Sequence, residues 1–161
     1  MSVKPGDRIR IGDTYTKNNL FCAPLAGYTD FAFRKLCYSF GAGLCFTEMV
    51  SAKGLLYDNE ATKLLLYRFD GETDTAAQLF GSDPHILRTA CESEVLKDYK
   101  TIDLNMGCPV PKVFKNGEGS ALLLNFPLAE KIISECKKSG KNVTVKFRIG
   151  LEKGKTFAAE F

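Results

Sequence analysis

Ile102-Asp103-Leu104-Asn105-Met106-Gly107-Cys108-Pro109-Val110-Pro111-Lys112 starts as a strand and ends in a loop that glycine and proline hold open. An amide (Asn105) and a thiol (Cys108) fall at the strand's C-terminal end, the end at which parallel α/β folds place their sites. A thiol there serves as nucleophile, metal ligand or proton donor. With a free pKa near about 8.5 it is mostly protonated at neutral pH, which suits a general acid. The alternative is a buried structural cysteine, and a position between Gly107 and Pro109 on a loop favours the reactive reading.

Outward from this stretch the punctuation is regular. Leu20–Ala23, Leu44–Thr47, Thr75–Phe80, Thr101–Asn105 and Asn142–Phe147 are short apolar runs that predict buried strands. Asp30–Phe40, Pro84–Leu96 and Leu128–Ser139 between them carry helical patterns, and another helix is expected from near Gly154. Asp83-Pro84 has the form of an N-cap followed by a first-turn proline, and Ser139-Gly140-Lys141 that of a helix stop. Alternation of strand and helix at this spacing predicts a parallel sheet with crossover helices, either doubly wound or an eight-fold barrel. Five strands in 161 residues, against about 250 residues for a whole barrel, favour a (β/α)8 TIM barrel of which residues 1–161 supply about the first five strands. On this reading the chain is one domain, cut short within a longer barrel. Arg8–Ile11 and Thr14–Thr16 around Gly12-Asp13 predict a preceding hairpin.

Composition sets the class. The chain is 17.8 kDa, 45% hydrophobic and 25% charged, which excludes disorder, collagen and a disulfide-stapled miniprotein. Its six cysteines are scattered and no secretory signal opens it, so reduced thiols in a cytoplasmic protein are expected. The apolar runs are too short to span a bilayer. One histidine, His85, and no Cys-x-x-Cys pair give no pattern for a structural zinc site. Net charge is +3, but residues 112–161 hold ten basic against five acidic groups. That third of the chain faces phosphates or is a solvated helix face bearing Lys131, Lys137, Lys138 and Lys141.

Several other residues are out of place in an inert core. Ala23-Pro24-Leu25-Ala26-Gly27 ends the first strand with small groups that let a flat ring approach the backbone, or simply makes a tight turn. Gln78 is an amide in an apolar strand; burying it unpartnered costs ~1–3 kcal/mol, so it meets a ligand or a backbone group. Lys146 and Arg148 are similarly odd on Val143–Arg148, and a lysine in a barrel mouth calls for an anionic partner. Lys115-Asn116-Gly117-Glu118-Gly119-Ser120 either receives a phosphate or is an ordinary turn. Glu48 closes the second strand.

Taken in order, these segments resemble the tRNA-dihydrouridine synthase family. The resemblance is carried by Ala23–Asp30, by Thr47-Glu48-Met49-Val50-Ser51-Ala52-Lys53-Gly54-Leu55, by Gln78–Pro84, by Asn105–Lys112 and by Val145–Gly150, and covers nearly all of the chain from Leu20 onward. It implies a flavin barrel enzyme with a helical RNA-binding domain beyond the barrel. FMN, reduced by NADPH or NADH, would pass hydride to C6 of a flipped-out tRNA uridine while Cys108 protonates C5. Pro24, Leu25 and Ala26 would floor the flavin pocket, Gln78 and Lys146 would bond the isoalloxazine, and Asn105 would hold the uracil. Lys112, and Arg148 with it, would meet tRNA or flavin phosphate; Tyr28 and Phe114 are stacking candidates, with core packing the alternative for Phe114. Leu25 stands where the family usually has methionine, and the family's His-Gly-Arg segment would fall after residue 161. Two other readings remain open: an FMN reductase of free pyrimidines, and a non-catalytic half-barrel that dimerises through its open edge.

Overall fold

The computed structural model describes residues 4–57, 59–156 and 158–161. A small hairpin of β1 (Arg10–Ile11) and β2 (Thr14–Tyr15) precedes five parallel strands: β3 (Phe21–Cys22), β4 (Leu44–Ser51), β5 (Thr75–Phe80), β6 (Thr101–Met106) and β7 (Asn142–Phe147). Their spatial order is the chain order, each paired with the next, and they curl into half of a (β/α)8 barrel. The connections carry α1 (Phe31–Ser39), then α2 (Ala52–Leu56) and α3 (Glu60–Leu64), then α4 (Pro84–Cys91), then α5 (Pro111–Lys115) and α6 (Phe126–Lys137). Caps fix the helix starts: Asp30 accepts from the Phe33 amide, and Asp83 from those of His85 and Ile86 ahead of its first-turn proline.

The two faces of the sheet are chemically distinct because side chains alternate with period two. Ala77 and Leu79 of β5, Ile102, Leu104 and Met106 of β6, and Val143 and Val145 of β7 point outward onto Leu55, Leu87, Ala90, Ala129 and Ile132 of α2, α4 and α6. Each fully buried leucine or isoleucine there contributes ~1.5–3 kcal/mol. The alternate residues, Gln78, Asp103, Asn105, Thr144 and Lys146, face the barrel interior and stand in register: Gln78 opposite Asp103, Asp103 opposite Thr144, Asn105 opposite Lys146.

A second polar feature was not expected. Arg34 of α1 is fully buried and paired with buried Glu72, its Nε 2.6 Å from Oε1 and its Nη2 3.1 Å from Oε2. The guanidinium also donates to the carbonyls of Thr29 and Tyr67, and Glu72 accepts from the Thr75 hydroxyl and the Phe69 amide. This pair ties α1 to the loop entering β5.

The helix expected from Gly154 is not formed among the described residues. An isolated bridge between Glu152 and Lys155 and a following turn take its place, and Phe161 packs on Phe126 and Phe147. Two glycines, at 150 and 154, within five residues weaken helix nucleation there. No helix among the described residues is long and apolar enough to cross a membrane.

Breaking the buried ion pair leaves an uncompensated charge. Arg34→Met is expected to lower unfolding free energy by ~3–5 kcal/mol, and Arg34→Met/Glu72→Leu by less than either single change, as read by urea denaturation.

Candidate functional site

The C-terminal ends of β5, β6 and β7 converge on the loop that carries Cys108. Asn105 sits at the junction, half-buried. Its Oδ1 accepts from the backbone N–H of Gly107 (3.2 Å) and of Cys108 (2.9 Å), and its Nδ2 donates to Gln78 Oε1 at 3.0 Å. A weaker contact runs from the same Nδ2 to the sulfur of Met49 at 3.8 Å. Arg148, leaving β7, donates from Nε to the Gly107 carbonyl at 2.6 Å. The Cys108 carbonyl accepts from the Ser120 N–H at 2.9 Å. The Cys108 loop is therefore held by hydrogen bonds from three directions, with the Cys108 side chain half-exposed.

Gly119 explains how the loop is supported from behind. Its φ is +60°, and a Cβ there would lie 2.6 Å from the Cys108 carbonyl oxygen and 3.0 Å from Cys108 Cβ. Only glycine allows this approach. Gly119 and Ser120 are buried, so the 115–120 segment uses its backbone to brace Cys108. Beside it lies a cavity of about 440 Å³ lined by Lys53, Ser82, Asn116 and Glu118. Burial raises the Glu118 carboxyl above its ordinary range, and Lys53 opposes that rise.

Gln78 is 1% exposed, and its side chain meets neither backbone nor an open surface. Its Nε2 donates to Asp103 Oδ2 at 2.6 Å while Oε1 receives Asn105. Asp103, 2% exposed, accepts a second bond from the Thr144 hydroxyl at 2.6 Å. Burial raises the Asp103 pKa, against the opposing hydrogen bonds of Gln78 and Thr144 and the charge of Lys146. Asp103 and Thr144 were missed by the sequence reading. A carboxylate in the middle of an otherwise apolar strand was the signal available.

The remaining candidates lie on open surface. Lys146 is exposed and its side chain makes no hydrogen bond or ion pair among the described residues. Lys112 is exposed on α5. Leu25, 51% exposed, and Ala26 follow β3, two strands from β5, with Pro24 half-buried beside them. That turn is joined to β4 through the Gly27 N–H, which donates to the Glu48 carboxylate. Glu48 reaches it because β4 is bulged between Phe46 and Met49, where the Thr47 hydroxyl takes the Gln78 N–H at 3.0 Å. Tyr28 is 68% exposed and Phe114 37%, while His85 is exposed at the start of α4. Among the described residues no cluster of three or more His, Cys, Asp or Glu is placed to hold a metal.

The family profile described as Dihydrouridine synthase (Dus) matches residues 21–161. The chain belongs to the dihydrouridine synthase family. It is 40% identical over 146 residues to tRNA-dihydrouridine synthase B of Pasteurella multocida, covering 90% of this chain and 44% of that protein. To the enzyme of the same name from Escherichia coli K12 it is 37% identical over 143 residues, covering 88% and 44%. The chain thus spans less than half the length of these curated relatives. Among solved structures, histamine dehydrogenase of Rhizobium sp. 4-9 superposes with a TM-score of 0.59 at 16% identity, over 94% of this chain and 33% of that one. A variant of NCR from Zymomonas mobilis superposes at 0.56 and 15% identity, over 96% and 62%. At such identities the likeness is one of fold.

Two outcomes follow from the site's packing. Gly119→Ala should displace the Cys108 loop and cost ~1–3 kcal/mol, measured by thermal unfolding. Because Asp103 has a folded pKa above its ordinary 3.8, its contribution to stability is greatest below that value and is lost as pH rises through the folded value. Asp103→Asn should therefore flatten the fall in stability as pH rises above about 3.8 in urea titrations.

Proposed function

We propose that this chain carries the catalytic cysteine and part of the flavin site of an enzyme that reduces uridine in tRNA to 5,6-dihydrouridine. The observation that supports the reading best is the Asn105 clamp, which takes both the Gly107 and Cys108 N–H groups and holds a half-exposed thiol at the mouth of the barrel. The relatives named as tRNA-dihydrouridine synthase B support the substrate class.

The residues present suit FMN. Pro24, Leu25 and Ala26 offer an apolar turn on which a flat ring can rest, and Lys146 offers an exposed ammonium to its electron-rich edge. FMN held there would supply the hydride, with NADPH or NADH as the source of its electrons. Hydride addition at C6 of the uracil leaves enolate-like charge across O4, C4 and C5. Cys108 answers it with a proton delivered from Sγ to C5, so one hydride and one proton saturate the bond. Asn105 holds the loop that aims this proton. Lys112 and the free end of the Arg148 guanidinium face the phosphates of the tRNA, whose target base must leave the stack to reach the thiol. A cytoplasmic location belongs to the same proposal. By resemblance to the family, the Gly107–Lys112 context, Lys53 and the Gly81–Pro84 segment favour tRNA over a free pyrimidine as substrate.

The test uses the purified chain with FMN, unmodified tRNA and NAD(P)H. Wild type is expected to turn yellow and form dihydrouridine on tRNA but not on free uracil. Cys108→Ala should keep the flavin spectrum and lose turnover by about 10²–10⁴-fold. Loss of flavin with unchanged turnover per bound flavin contradicts the role of Cys108. A colourless chain that binds no FMN returns the alternative of a non-catalytic half-barrel, whose open edge would show as dimers in sedimentation.

A further inference from the structure

Buried carboxylates inside a barrel are costly unless every lone pair has a use, and Asp103 plays no part in the chemistry above. Its surroundings say what it does. The amides of Gln78 and Asn105 each have an oxygen end and a nitrogen end of nearly equal size, so packing alone does not choose how they face. Asp103 when ionised only accepts hydrogen bonds, whereas the N–H groups of Gly107 and Cys108 only donate. Between these two ends the chain of contacts runs with one polarity. Asp103 Oδ2 takes Gln78 Nε2 (2.6 Å), Gln78 Oε1 takes Asn105 Nδ2 (3.0 Å), and Asn105 Oδ1 takes the two loop N–H groups (3.2 and 2.9 Å). Thr144 holds the far oxygen of the carboxylate at 2.6 Å and keeps it from rotating. Turning Gln78 over would set its NH₂ group against that of Asn105 and an oxygen against Asp103.

We infer that Asp103 is a positioning residue: through Gln78 it sets the direction of the Asn105 amide and so the place of the Cys108 loop. The inference deepens the reading of Cys108 as proton donor and rests on that reading for its consequence in catalysis, but the relay itself is a property of the chain alone. It concerns an acceptor, not a charge. An asparagine at 103 whose oxygen faces Gln78 can do the same work, and a leucine of similar size cannot.

Hydrogen exchange on the ligand-free chain, followed by mass spectrometry of the peptide spanning residues 105–112, tests this directly. Asp103→Leu is expected to speed exchange at the Gly107 and Cys108 amides by about tenfold while the amides of β5 and the first half of β6 stay protected. Asp103→Asn should stay within about threefold of wild type, the rescue that a merely space-filling role would not distinguish. The double change Gln78→Glu/Asp103→Asn reverses the donor and acceptor between the two side chains while still presenting an oxygen to Asn105. It should protect the loop better than Gln78→Glu alone, which sets two carboxylates face to face. If Asp103→Leu fails to fold, Gln78→Met cuts the relay one link further on and should give the same local rise. The inference is overturned by an unchanged loop in Asp103→Leu or Gln78→Met, by equal effects of Leu and Asn at 103, or by a rise spread evenly over the sheet. Because this readout needs neither flavin nor tRNA, protection can follow the expected pattern in a chain that reduces no uridine. A failure of the proposed activity is thereby kept separate from a failure of the relay.

Discussion

The side-chain amide of Asn105 is the point at which the barrel interior and the reactive loop become one object. Strands that bury their outward face against α2, α4 and α6 leave their other face to a narrow interior, and on β5, β6 and β7 that face is polar. Gln78 and Asp103 are deep enough that water cannot satisfy them, so they satisfy each other, with half-buried Thr144 completing the carboxylate. Asn105 ends this row one residue pair nearer the mouth. It spends its nitrogen on the interior and its oxygen on the backbone of Gly107 and Cys108. A thiol on a loop of glycine and prolines would otherwise wander. Here its position is tied to the register of three strands.

Much of the architecture was legible because the local signals and the global fold agree. Thr75–Phe80 and Asn142–Phe147 form strands over the residues expected, since each is a short β-branched or apolar run between clear stops. Pro84 and Gly140 mark a helix start and a helix stop as their chemistry requires. Cys108 and Asn105 stood out because a thiol and an amide at a strand end are out of place in an inert core. The register between strands was not legible. Nothing in Gln78 says that residue 103 lies opposite it, so the two side chains that Gln78 meets were out of reach of the sequence. The Arg34–Glu72 pair was hidden for the same reason: the partners are 38 residues apart, and α1 reads on its own as an ordinary helix with an arginine for solvent.

The basic bias of residues 112–161 shows how a charge count dissolves once each group is placed. Lys141 does not lie on a solvated face. Its ammonium donates to the carbonyls of Leu96, Lys97 and Tyr99, closing the end of the 3₁₀ turn Glu94–Leu96, and burial lowers its pKa. Lys138 pairs with Glu135 within α6, and Lys155 with Glu152. Arg148 gives one N–H to the Gly107 carbonyl and keeps the rest of its guanidinium exposed. Lys115, Lys131, Lys137 and Lys153 stay exposed on the surface, and a smaller group, Lys112 on α5, Lys146 on the interior side of β7 and the free end of Arg148, lies at the end of the barrel that carries the thiol. An even basic face would attract any polyanion and aim it nowhere. Under the proposed function, the three cations at the thiol's end of the barrel would give an anionic substrate a local direction of approach, while Lys138, Lys141 and Lys155 are held by partners of their own.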